Sequence, residues 1–262
     1  MRCALRRLQG VMAALRDPET GCPWDQKQTH KTLIPYLLEE TYEVVDAIEQ
    51  GDDQHLSEEL GDLLFQIVFH AQIGHEEDRF DLDGIAEALS DKLIKRHPHV
   101  FANTGYASDA ELNHAWEVHK EKDREQKQQH GTLSGIPEAL PALMRAEKLQ
   151  KRAARVGFDW PGFEQVFDKL QEELDEVREA IAENHGKVRV EEEIGDLLFV
   201  VANLARHLEI NPEEALRKTN KKFIRRFNYV ESSIKNKGGT LEASSLDEME
   251  KEWQKSKLDE KK

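Results

Sequence analysis

Apolar residues recur along most of this chain at the three-and-four spacing of an amphipathic helix, and alternating β-branched runs are absent. Within Pro35 to Gln50, Leu37, Thr41, Val44 and Ile48 share one face, as do Leu170, Leu174, Val177 and Ile181 within Phe163 to Asn184. The same periodicity predicts helices over Gln54 to His75, Leu82 to Arg96, Ala110 to Gln129, Glu138 to Arg155, Val188 to Leu208 and Pro212 to Asn236. Pro35, Pro161 and Pro212 stand where a helix can begin, because a residue in the first turn has no intrahelical N–H bond to lose. The expected class is all-α.

The pattern occurs twice. Glu39-Glu40-Thr41-Tyr42-Glu43 recurs as Glu172-Glu173-Leu174-Asp175-Glu176, and Glu58-Glu59-Leu60-Gly61-Asp62-Leu63-Leu64-Phe65 as Glu192-Glu193-Ile194-Gly195-Asp196-Leu197-Leu198-Phe199. Lys92-Leu93-Ile94-Lys95-Arg96 pairs with Lys222-Phe223-Ile224-Arg225-Arg226, and each copy ends in a charged helical stretch with a tryptophan, Trp116 and Trp253. Gly131, Gly135, Pro137 and Pro141 follow a very polar stretch and mark the join. Two tandem helical-bundle domains of about four helices each are expected, over residues 1–131 and 132–262.

Composition narrows the chemistry. Against 52 Asp and Glu stand 37 Lys and Arg among 262 residues, a net charge of −15, which argues against a surface for nucleic acid. Cys3 and Cys22 suggest neither a disulfide framework nor a thiolate metal site. Met1 to Leu15 mixes Arg2, Arg6 and Arg7 with apolar residues at helical spacing, unlike a signal peptide, and no run suggests a membrane span. A soluble cytoplasmic protein is expected.

At about 100° per residue, Glu40 and Glu173 lie at the edge of the apolar stripe, with Glu43 and Glu176 one turn on, while Glu39 and Glu172 project towards solvent. On the following helix Ile194, Leu197, Leu198, Val201 and Ala205 form the stripe bordered by Glu193 and Asp196, as Glu59 and Asp62 border Leu60, Leu63 and Leu64. If the two helices pack through these stripes, four carboxylates converge in each copy. Such a set suits a hard cation, Mg2+ above all. A charge run is ordinarily a solvated face, but this paired spacing occurs on two helices and in both copies. Lys221, Lys222, Arg225 and Arg226 supply clustered cations for a polyphosphate, and Trp253 can stack on a nucleobase or simply pack.

These motifs resemble those of the MazG-type nucleoside triphosphate pyrophosphohydrolases, in their long two-domain bacterial form within the all-α NTP pyrophosphatase superfamily. Gly21-Cys22-Pro23-Trp24-Asp25 and Arg96-His97-Pro98-His99-Val100-Phe101 look like further landmarks, so the resemblance covers almost the whole chain. It implies a tight homodimer and Mg2+-dependent hydrolysis of NTPs and dNTPs to nucleoside monophosphate and pyrophosphate. The implied metal ligands are Glu173, Glu176, Glu193 and Asp196, with Glu40, Glu43, Glu59 and Asp62 as counterparts. Lys169, Glu172, Lys222, Arg225, Arg226 and Trp253 match substrate-contacting positions, and the C-terminal copy is the working one. The N-terminal copy is expected to be structural and dimerising or itself active, since both of its acidic motifs are intact. It departs at Phe69, where the second copy has Asn203, and at His97-Pro98-His99 against Phe227-Asn228-Tyr229.

Hydrolysis needs a base outside the ligand set, and Glu172 and Glu192 are the candidates beside Glu193. Broad base tolerance is expected where stacking on Trp253 is the main base contact. A catalytically silent nucleotide- or metal-binding regulator on the same bundle is the competing reading. A di-iron bundle is disfavoured, since Glu111 to His114 is the lone Glu-x-x-His.

Overall fold

A computed structural model of the chain describes residues 2–102 and 131–260, together with 105, 108, 111, 115 and 118. Helix, turn and loop account for all the described residues, and these divide between two compact units, Met1–His119 and Lys120–Lys262. No described helix is long and apolar enough to cross a membrane.

The first unit comprises α1 (Arg2–Leu15), the short α2 (Pro23–Gln26), α3 (Ile34–Gln50), α4 (Asp53–Glu76), α5 (Leu82–Arg96) and the short α6 (Pro98–Phe101). The second comprises α7 (Ala142–Arg155), α8 (Phe163–Ala182), α9 (Lys187–His207), α10 (Pro212–Asn236) and α11 (Leu246–Asp259). Most bounds fall within a residue or two of those the periodicity predicts. α7 is the exception, starting at Ala142 rather than Glu138. Pro141 has no N–H to give and disfavours helix at the residue before it, so a helix does not run through from Glu138, and Pro141 stands as the N-cap of α7. The expected helix from Ala110 to Gln129, with Trp116, lies outside the described residues apart from 111, 115 and 118.

Local chemistry sets the helix starts. The Asp52 carboxylate accepts from the N–H groups of Gln54 and His55 at the start of α4, and Asp81 accepts from Gly84 at the start of α5. Asn211 caps α10 ahead of Pro212, and Ser245 with Glu248 forms a capping box on α11. Gly51, in the left-handed region at φ 71°, closes α3 and lets α4 follow at once.

In the first unit α3 and α4 pack together, α1 lies on α4, and Met12, Leu33, Val68, Phe69, Ala71, Ile73 and Leu82 form the core. Burying each of the larger of these is worth about 1.5–3 kcal/mol. In the second unit α8 and α9 pack together with α7 on α9, and Val166, Ala180, Val200 and Ala202 are buried. There Gln150 Nε2 donates to the Phe199 carbonyl at 2.8 Å, tying α7 to α9. α11 packs on α10, where the buried Glu252 carboxylate accepts from Ser233 at 2.5 Å, from Lys255 at 2.8 Å and from Lys237. These donors hold the Glu252 carboxyl down at about 2.

The stripes depart from the expected ones. Val44 is buried, but Ile48 and Ile181 are exposed, and on α9 Val200, Ala202 and Asn203 turn inward while Ile194, Leu198 and Val201 face outward. These helices are apolar on more than one side, and among the described residues only one side is buried.

Candidate active site

Each unit brings three carboxylates together across a helix pair. Glu40 and Glu43 of α3 and Glu59 of α4 each place an oxygen within 4.8 Å of the others; Glu173 of α8 and Glu193 and Asp196 of α9 do the same. The helical turn aligns residues three apart on one face, and pairing α8 with α9 sets the two faces opposite each other. Asp62 and Glu176 fall outside these trios yet stand close by. Repulsion from Asp62, Glu43 and Glu59 adds to burial in raising the Glu40 carboxyl, and burial with Glu173 and Glu193 raises Glu176. Glu39 and Glu172 are exposed, as the face analysis expects.

The second trio is the more enclosed. Glu173 is 4% and Glu193 2% exposed, whereas Glu40 and Glu59 are half-buried. A buried carboxylate requires partners, and Glu173 Oε2 is buried without a hydrogen bond. Lys169 Nζ lies 2.8 Å from Oε1 of both Glu172 and Glu173, and these contacts raise the lysine's pKa. Arg189 reaches Glu192 at 3.3 Å and pairs with Glu193. In the first unit His55 Nε2 lies 2.8 Å from Glu59, and the Gln66 side chain lies close enough to Glu40 to work against the rise of its carboxyl, while the buried Oε1 of Gln66 has no partner. Three converging carboxylate oxygens with an unsatisfied buried oxygen beside them fit a hard divalent cation in either unit.

The basic block sits on α10. Lys222 is exposed; Arg225 closes on Glu260 Oε1 at 2.9 and 2.5 Å, and Arg226 on Oε2 at 3.1 and 2.6 Å, which holds the Glu260 carboxyl at about 2. Trp253 is half-buried, its ring 5.2 Å from Phe223 and 5.8 Å from the Arg226 guanidinium. Arg189, Gln66 and Glu260 escaped the motif reading. The i,i+4 spacing of Arg189 to Glu193 was the available signal for the first, whereas the other two contacts arise only through tertiary packing.

Fold and site together define a tandem all-α bundle with a carboxylate cluster for a divalent cation in each half. The sequence profile of the MazG nucleotide pyrophosphohydrolase domain matches residues 28–101 and again 162–231, and the chain belongs to that family. It is 52% identical over 258 residues, 97% of either chain, to a nucleoside triphosphate pyrophosphohydrolase of Escherichia coli strain K12. It is 43% identical to the nucleoside triphosphate pyrophosphohydrolase/pyrophosphatase MazG of Thermotoga maritima, over 95% of this chain and 94% of that one. A shorter match, 38% identical over 58% of this chain and 47% of the relative, joins it to a nucleoside triphosphate pyrophosphohydrolase of Mycolicibacterium smegmatis.

Proposed function

We propose that this protein hydrolyses nucleoside triphosphates and deoxynucleoside triphosphates to monophosphate and pyrophosphate, with Mg2+, at the carboxylate cluster of a C-terminal domain spanning 132–262. The observation that carries the reading is the buried pair Glu173 and Glu193, converging with Asp196 and flanked by Lys169 and Arg189. Glu173, Glu176, Glu193 and Asp196 would hold the cation, with Glu40, Glu43, Glu59 and Asp62 as counterparts in the domain over 1–131. Bound there, Mg2+ would offset phosphate charge and make water more acidic. Glu172 and Glu192, exposed beside the buried ligands, would accept the water's proton. Lys169, Lys222, Arg225 and Arg226 bind and orient the phosphates, and Trp253 stacks on the base with little discrimination among bases.

The same reading makes the protein a cytoplasmic homodimer without nucleic-acid or membrane partners. Ile181, Ile194, Leu198 and Val201, exposed on α8 and α9, form the apolar surface that a second copy would cover. The N-terminal domain then serves chiefly structure and dimerisation.

The test is product analysis by anion-exchange chromatography, with protein, Mg2+ and a panel of NTPs and dNTPs, beside a Glu193→Ala/Asp196→Ala variant. Equal amounts of monophosphate and pyrophosphate, lost in the variant, are expected. Products persisting in the variant would move the activity to the first copy. A parent protein without turnover would leave a silent metal- or nucleotide-binding regulator.

A further inference from the structure

The two carboxylate clusters differ in what already neutralises them. Four residues before Glu173 stands Lys169, and four before Glu193 stands Arg189; at the same distance before Glu40 and Glu59 stand Tyr36 and His55. One helical turn places each of these beside its carboxylate. In the second unit that position carries a permanent positive charge on both helices, in contact with Glu172, Glu173, Glu192 and Glu193. In the first unit Tyr36 packs edge-on against Trp24, and His55 Nε2 lies 2.8 Å from Glu59 Oε1. The partners also differ in freedom to move. Side-chain exposure is 6% for Glu173 and 2% for Glu193, against 30% for Lys169 and 52% for Arg189, so the carboxylates are fixed and the cations can swing.

We propose that Lys169 and Arg189 are exchangeable counter-ions that couple cation binding to nucleotide binding in the second copy, whereas the first copy binds its divalent cation independently of nucleotide. Without nucleotide, the lysine and arginine occupy carboxylate oxygens that a divalent cation needs and oppose it by like charge. A triphosphate offers them stronger acceptors and draws them off, freeing those oxygens for the cation. Linkage then requires the cation to strengthen nucleotide binding by the same factor. Two further observations support a cation in both clusters: Glu173 Oε2 is buried without a partner, and so is Oε1 of Gln66, whose side chain acts on the Glu40 carboxyl. The inference rests on the reading of the second copy as the nucleotide site.

Mn2+ titration followed by the electron paramagnetic resonance of the free ion tests it, with and without ATP carrying a methylene bridge between the α- and β-phosphorus. A Glu40→Gln/Glu59→Gln background isolates the second site, and Glu173→Gln/Glu193→Gln isolates the first. Second-site affinity for Mn2+ should rise on the order of tenfold with the analogue, and first-site affinity should stay constant. Adding Lys169→Gln/Arg189→Gln to the first background should tighten nucleotide-free Mn2+ binding several-fold and abolish the response to analogue. Unchanged or weaker nucleotide-free binding in that variant, with circular dichroism confirming the helices, would overturn the proposal. The Mn2+ arm needs no turnover. Tightened Mn2+ binding alongside a wild-type protein that releases no monophosphate and pyrophosphate would sink the activity reading and leave the counter-ion assignment standing. Turnover without tightening would do the reverse.

Discussion

The two halves of this chain carry the same acidic motifs on corresponding helix pairs, yet they surround them with opposite chemistry. Ten residues after Glu59 on α4, Phe69 is fully buried against Phe65 and Trp24, with the Arg16 guanidinium 5.4 Å from its ring centre. At the matching place in the second half, buried Asn203 accepts from Arg206 Nε at 2.8 Å, and Arg206 and His207 both reach Asp159. In front of the clusters the contrast is Tyr36 and His55 against Lys169 and Arg189. Convergence of carboxylates is thus shared, because helix register and pairing enforce it. What differs is the residue one turn before Glu173 and Glu193 and before Glu40 and Glu59, a lysine and an arginine in the second half against a tyrosine and a histidine in the first.

Four measurements break or sharpen this contrast, the largest losses of activity and stability first and the smallest effect last. Glu173→Ala should lower kcat about 10²- to 10³-fold, whereas its counterpart Glu40→Ala should change it less than about threefold; steady-state pyrophosphate release separates them. Equal losses would make the halves functionally equivalent. Phe69→Ala should cost about 3–5 kcal/mol by leaving a cavity, and Asn203→Ala about 1–3 kcal/mol by stranding buried polar partners. Hydrogen exchange of α4 and α9 reads the two separately.

Trp253→Ala should raise KM roughly tenfold with little base dependence, the amount expected from losing one stacking contact. The smallest effect is the transplant Tyr36→Lys/His55→Arg, which should strengthen nucleotide binding at the first copy by roughly five- to tenfold in an equilibrium titration carried out on the Glu173→Gln/Glu193→Gln background. No gain there would show that these two positions do not distinguish the halves.

Acid offers an independent check on the second half. The folded Glu252 carboxyl sits at about 2, below its ordinary 4.5, because Lys237, Lys255 and Ser233 bond its ionised form. A lowered carboxyl stabilises the fold fully above 4.5, and that contribution drains away as pH falls from 4.5 towards 2. The α10–α11 contact should therefore lose exchange protection over that interval, and Glu252→Gln should flatten the dependence.

Much of this was legible from local rules. The periodicity marked the helices, the duplicated acidic motifs marked the repeat, and Glu39 and Glu172 could be set apart from the ligand faces by rotation alone. Pro141 marks the join between the copies, but the apolar periodicity alone carries the helix through it from Glu138, whereas α7 starts at Ala142. The inward turn of Asn203 and Val200, the burial of Glu252 and the closing of Arg225 and Arg226 on Glu260 could not be read, because each depends on which side of a helix its neighbours cover.

The sequence by itself determined which segments are helical, where they start, that the unit occurs twice and which carboxylates share a helical face. Those properties depend on residues at most one or two turns apart. Tertiary packing alone decided that Glu173 and Glu193 are buried while Lys169 and Arg189 stay half-exposed, and that Gln66 reaches Glu40. Burial and charge pairing depend on the distance between groups in space, and residues on separate helices acquire that distance only when the helices pack.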